Sequence, residues 1–220
     1  MRAWSFSSLN QYYTCPRQYD LQRNKQVIKF SESVETLWGK EVHRAMEESM
    51  QEGLPMVERF AAFQPYVDKI KALSGERFVE WEFALTKSLT PTGFKDENAW
   101  CRGIIDVGVV DGDRALVCDW KTGKVRPDSD QLKLFAAATM AHYPNVQTVK
   151  TAYVWLAHGC TTPETYTRAD LPKIWEHFII KVKHLERAYQ HDKWTPKPSG
   201  LCRGWCGAGL SNCEFWEPKR

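Results

Sequence analysis

Between Arg77 and Thr86 the apolar residues Phe78, Val79, Trp81, Phe83 and Leu85 alternate with polar neighbours, a period that predicts a β-strand. Two further apolar runs, 99–110 and 114–120, flank Asp111-Gly112-Asp113. An Asp-Gly step between such runs is a strong hairpin signal. Residues 147–157 and 161–167 predict two more strands. Helical spacing predicts helices over 5–24, opened by Ser7 or Ser8; over 34–51, ended by Gly53; over 56–73, ended near Gly75; over 128–142, stopped before Pro144; and over 170–190, with Asp170 as cap and Pro172 in the first turn. Helices, three meandering strands, a helix, a strand pair and a helix in that order predict an α/β fold with a mixed central β-sheet flanked by helices. One domain accommodates the 220 residues, with 1–75 as a helical N-terminal part, 76–192 as the core and 193–220 as an irregular tail.

The hairpin carries the chemistry. A two-residue loop pairs position 106 with either 117 or 119, and alternation then puts Asp106, Asp119 and Lys121 on one face. Two carboxylates that close repel each other unless a cation compensates. Hard oxygen donors suit Mg²⁺ or Mn²⁺, which can polarise a phosphoryl oxygen and acidify water. Lys121 would hold the nucleophile or neutralise charge developing in the transition state. Taken alone, a D-x-K triplet is more often a solvated ion pair at a strand end.

Composition adjusts this picture in three ways. The net charge of +3 does not by itself call for nucleic acid, but Lys121, Lys124, Arg126 and Lys133 crowd one segment, where Lys124, Arg126 and Lys133 could track phosphates. Among the 10 Trp and 8 Tyr, the residues Tyr12, Tyr13, Trp38 and Trp120 could stack bases, although core packing is the commoner fate of such side chains. The chain shows no charged-then-apolar leader and no apolar run of membrane length, which predicts a cytoplasmic protein with no membrane partner.

Five segments, in order, resemble the PD-(D/E)xK nuclease superfamily and, within it, the RecB-like exonucleases. They are SFSSLNQYYTCPRQYDL, GKEVHRAME, CRGIIDVGVV, VCDWKTGK and DQLKLFA. The resemblance implies a restriction-endonuclease-like core and a metal-dependent nuclease. It implies metal ligation by His43, Asp106 and Asp119, assisted by the Trp120 carbonyl. Lys121 would be the catalytic lysine, Gln131 would position the site or the DNA backbone, and Glu82 is a further candidate acid. Ile105, not Pro, precedes Asp106, as the branch often permits, and Phe135 stands where the branch often has Tyr.

Seven Cys, an odd count, argue against a complete disulfide framework. Cys101, Cys118 and Cys160 lie on or beside strands and read as small core residues. Cys202, Cys206 and Cys213 share a Gly-rich tail, and three thiolates usually require a fourth. With Cys15 as that fourth, one early and three late cysteines resemble the iron–sulfur nucleases of this branch. The spacing C-x3-C-x6-C is longer than the related C-x-x-C-x5-C. A [4Fe–4S] centre is the first reading, Zn²⁺ the second and free thiols the third.

These features predict a DNA exonuclease that acts on ends or single strands in recombination, repair or processing, possible partners being recombination or replication proteins. A structure-specific endonuclease or resolvase, and a non-catalytic DNA-binding protein on the same fold, are the alternatives.

Overall fold

The hairpin forms with Gly112 and Asp113 as its two-residue loop, closed by the pair Asp111 and Arg114. Gly112 takes φ +59°, a left-handed conformation that a residue without Cβ adopts at little cost. The computed structural model describes residues 2–29, 33–126, 129–203 and 205–218. Its strands are β1 (Glu76–Leu85), β2 (Pro91–Thr92), β3 (Cys101–Asp111), β4 (Arg114–Lys121), β5 (Thr148–Trp155) and β6 (Cys160–Thr167). Its helices are α1 (Phe6–Thr14), α2 (Pro16–Tyr19), α3 (Val34–Glu52), α4 (Gln64–Lys71), α5 (Asp130–His142) and α6 (Leu171–His191). The short β2 was not expected from the sequence. The predicted start of α5 at Asp128 lies outside the described residues.

The six-stranded sheet has the order β2-β1-β3-β4-β5-β6. Every pairing is antiparallel except β4 with β5, whose connection contains α5, as a parallel crossover requires. This is the mixed sheet flanked by helices that the pattern predicts. Val107, Val109, Cys118, Trp120, Ala152 and Val154 face one way and form a core with Val42 and Met46 of α3 and Val67 and Ile70 of α4. The other face meets α5, where Phe83 of β1 packs edge-on against Phe135, with ring centroids 6.1 Å apart. Leu132, Leu134, Phe135 and Ala136–Ala138 are all buried, so α5 is apolar nearly all round, as a sunken crossover helix must be.

Alternation fails at one place, and it is the place that matters. The ring of Phe78 lies where a Cβ on Gly108 would stand, and that of Phe83 where a Cβ on Gly103 would stand. Phe78 stacks on Tyr143 at the end of α5 and Phe83 packs on Phe135, so both point to the α5 face although five positions separate them in sequence. The side-chain pattern therefore slips by one between these residues in β1 and β3 alike, while the β1–β3 register stays constant. The slip centres on Glu80 and Asp106, opposite each other and skipped by the ladder; Glu80 has φ +46°, costly for a non-glycine residue.

By internal contacts the chain divides into two compact units, residues 33–175 and a discontinuous unit of 1–32 with 176–220. These boundaries differ from those read off the sequence. The first unit holds the sheet with α3, α4 and α5. In the second, the predicted 5–24 helix is broken: Ser5 and Ser8 form the capping box of α1, Cys15 turns to extended backbone, and Pro16 opens α2. A residue before proline is pushed out of the helical region, which explains the break. Tyr12 and Tyr13 pack within this unit. The Tyr12 hydroxyl donates to the His184 carbonyl at 3.1 Å, and the Tyr13 hydroxyl lies 2.8 Å from His184 Nδ1.

Candidate active site and cysteine centre

β3 and β4 stop pairing after Val107 and Cys118, and the site begins there. Asp106 and Asp119 occupy the next opposed positions. In place of a backbone partner, the Trp120 amide donates to Asp106 Oδ2 at 2.7 Å. That bond fixes the carboxylate at the strand end. Asp119 turns toward α5, where Gln131 Nε2 donates to its Oδ1 at 2.9 Å. Lys121 Nζ donates to Gln131 Oε1 at 3.0 Å and lies 2.5 Å from Asp119 Oδ2. Apart from that ion pair, Asp119 Oδ2 is a buried oxygen with no further hydrogen-bond partner.

α3 brings His43 to the same strand end. Its Nε2 donates to the Trp120 carbonyl at 2.9 Å, and its Nδ1 lies 3.5 Å from Asp106 Oδ2. The close approach depends on Gly39, one turn earlier: a Cβ there would stand 3.1 Å from Thr122 Oγ1. The glycine and histidine of GKEVH thus serve one packing contact and one polar contact against the end of β4.

Ligand atoms of His43, Glu80 and Asp106 all lie within 4.8 Å of one another. Glu80 is the residue that sequence reasoning missed. The carboxylate on β1 in this group is Glu80 and not Glu82, which is exposed opposite Ile104. The register that pairs Glu80 with Asp106 is hidden by the long connection between β1 and β3, and the sequence reading names Glu82 alone. His43 and Glu80 also line an open groove with Gly39, Lys40, Arg44 and Glu47 of α3. Lys124 and Arg126 are exposed just beyond β4. Lys133 is half-buried and ion-paired with Asp130 at 2.8 Å. Trp120 is in the core, 3% exposed, whereas Trp38 is 41% exposed and has the Arg59 guanidinium 5.9 Å from its ring centroid.

The electrostatics are those of acids waiting for a cation. Burial, then the charge of Asp106, pushes Asp119 up to about 6 against the pull of Lys121. Burial, Asp106 and Glu47 push Glu80 up to about 7. Burial opposes a charged His43, but its hydrogen bond to Asp106 and the charges of Asp106 and Asp119 outweigh that, and its pKa rises. An Asp119 oxygen with no partner beyond Lys121, the raised acids and a neighbouring carbonyl are a donor set that fits a hard divalent cation.

All three shifts have one sign. A pKa raised on folding contributes stability that is complete below the unfolded value and lost as pH rises through the folded one. The unfolding midpoint of metal-free protein is therefore expected to fall between about pH 5 and pH 8, by several degrees at ~2–4 °C per kcal/mol. Mg²⁺ should restore far more at the upper end than at the lower, and Glu80→Gln should flatten part of the slope. A level or rising midpoint across this window in thermal melts would contradict the assignment.

In the other unit, Cys15, Cys202, Cys206 and Cys213 line one cavity, with Arg17, Pro196 and Trp216 also in its wall. Backbone amides of Lys197 and Ser199 donate to the sulfurs of Cys15 and Cys202, each at 3.4 Å. Burial, and the nearness of the other three thiols, raise the Cys206 pKa. Of the remaining cysteines, Cys101 and Cys118 are buried, but Cys160 is exposed at the start of β6 and is not a core residue.

The sequence profile of the PD-(D/E)XK nuclease superfamily matches residues 3–215, nearly the whole chain. The protein belongs to that superfamily. Its members are nucleases that use divalent metals, and the strand-end acids with Lys121 lie in the stretch matched. Among solved structures, this PD-(D/E)XK nuclease is similar to a protein of Eubacterium rectale named provisionally as an exonuclease, with a TM-score of 0.57 and 11% identity over 91% of this chain and 85% of the other. At that identity the likeness establishes the fold. No curated protein matches the chain. Among the described residues, no helix of the nuclease is long and apolar enough to cross a membrane.

Proposed function

We propose that this nuclease is a DNA exonuclease that hydrolyses phosphodiesters at ends or in single strands, with Mg²⁺ or Mn²⁺ held by His43, Glu80, Asp106, Asp119 and the Trp120 carbonyl. The observation that carries the reading is the triangle of Lys121, Gln131 and Asp119 beside the His43–Glu80–Asp106 cluster. A divalent cation supplies positive charge to a phosphoryl oxygen and makes water more acidic. The chain supplies the rest. Gln131 spans Asp119 and Lys121, setting the carboxylate and the ammonium at fixed separation. Lys121 then presents its remaining N–H toward the scissile phosphate, where negative charge grows. Lys40 and Arg44 in the groove, with the exposed Lys124 and Arg126 beyond β4, would meet backbone phosphates.

The cysteine quartet is proposed to hold a [4Fe–4S] cluster, with Zn²⁺ second. Four thiols around one cavity, two of them accepting backbone hydrogen bonds, suit either. Its role would be structural, tying Cys15 to the C-terminal segment. A DNA-processing task in recombination or repair is part of the same proposal, within a reducing cytoplasm, where an odd cysteine count without a complete disulfide framework belongs.

End-labelled linear DNA and covalently closed circles, incubated with the protein and Mg²⁺ or Mn²⁺, test the reading. Linear DNA is expected to shorten from its ends while circles persist. Equal cutting of circles would replace the exonuclease by an endonuclease or resolvase. Cleavage of neither would leave the non-catalytic alternative.

A further inference from the structure

We propose that Tyr153 is a positioning residue for Lys121, its ring acting as the π surface against which the ammonium is held. This rests on the reading of Lys121 as the lysine that acts in cleavage. In the parallel β4–β5 register Tyr153 is the partner of Asp119, and Trp155 that of Lys121. Asp119, Lys121 and Tyr153 thus stand on the same face of adjacent strands. Lys121 Nζ lies 5.1 Å from the Tyr153 ring centroid, and Tyr153 is 4% exposed.

A lysine head on a four-carbon stem is not fixed by one partner. Here Asp119 and Gln131 take two sides of it. A third acceptor would use up the last N–H. An aromatic face attracts the charge without demanding a directed hydrogen bond, so it holds the head and leaves a donor for the substrate. A cation–π contact is stronger when desolvated, and this ring is buried. The ring is itself braced. Trp155 lies 5.4 Å from it, centroid to centroid, and donates through Nε1 to Thr162 Oγ1 on β6 at 2.8 Å. A line of contacts from Thr162 through Trp155 and Tyr153 therefore ends at Lys121.

The alternative is a tyrosine that merely fills the core, and size-conserving chemistry separates the two. Phenylalanine, monofluorophenylalanine and trifluorophenylalanine placed at position 153 keep the ring's shape while draining its face of negative potential. With Mg²⁺ and linear DNA, Tyr153→Phe is expected to stay within about threefold of wild type. kcat should then fall stepwise with fluorination, reaching about tenfold, with KM unchanged. In metal-free protein the Lys121 ε-methylene protons should resonate upfield through the ring current and move back in Tyr153→Met. A flat fluorination series, or a Tyr153→Phe loss as large as that of the trifluoro variant, would overturn the inference. If instead wild type and Lys121→Ala cleave equally, it is the underlying role of Lys121 that fails.

Discussion

Lys121→Ala is expected to lower phosphodiester cleavage by about a thousandfold or more, with DNA binding in Ca²⁺ nearly unchanged. The size of the effect follows from where the ammonium is held. Lys121 is part-buried, with an acid on one side and a glutamine on the other, so its charge acts in a medium far less screening than water. Removing it also leaves Asp119 buried, repelled by Asp106 and without its counter-charge. The loss should therefore appear in kcat, while metal affinity rises or holds, since a carboxylate freed of its lysine can only bind a cation better. Lys121→Arg should not rescue, because the planar fork cannot occupy the corner between Asp119 and Gln131 as a compact ammonium does. Parallel assays of the purified variants in Mg²⁺ and Mn²⁺ decide the matter; variants as active as wild type would remove Lys121 from the chemistry.

Cys206→Ser should abolish metal binding at the quartet and destabilise the unit that contains it. Cys206 lies between Cys202 and Cys213 in a segment with little core of its own: Leu21, Ile28, Ala208 and Cys213 are its buried cluster, and Leu201, Trp205, Leu210 and Phe215 remain exposed. Loss of a structural metal belongs to the large class of mutational effects, on the order of 4 kcal/mol, or about 10 °C in the unfolding midpoint. Anaerobically purified wild type should be brown with stoichiometric iron, and the variant colourless. Colourless wild type with one zinc would replace the cluster by zinc. Metal-free wild type with an unaltered midpoint in the variant would leave the quartet as free thiols. Cleavage at the proposed acid–lysine site offers an internal control, because no cysteine of the quartet belongs to residues 33–175.

Much of the architecture was legible in the chain because it is set by local chemistry. Strand periodicity, the Asp-Gly hairpin and the Gly-terminated helix depend on residues within a few positions of one another, and they appear close to where they were expected. The same locality placed Asp106 opposite Asp119, since a tight turn fixes register on both sides of it. Pro16 is equally visible in the chain, yet it divides a stretch whose spacing reads as one helix: α1 ends at Thr14 and Cys15 is extended.

What the sequence could not decide depends on contacts between segments far apart. Glu80 enters the cluster because two strands slip their alternation together, and neither strand's own pattern records that slip. Tyr153 meets Lys121 only through a parallel pairing made by a crossover, whose register no turn dictates. The division into a sheet-bearing unit and a unit made from both chain ends likewise reflects packing between distant stretches. Residue types and short-range spacing determined that the protein carries paired acids, a lysine and a set of thiols. Tertiary structure alone decided which acid joins the histidine and which ring faces the ammonium, because those choices rest on long-range register, and register is fixed by burial of whole faces and not by any local run of residues.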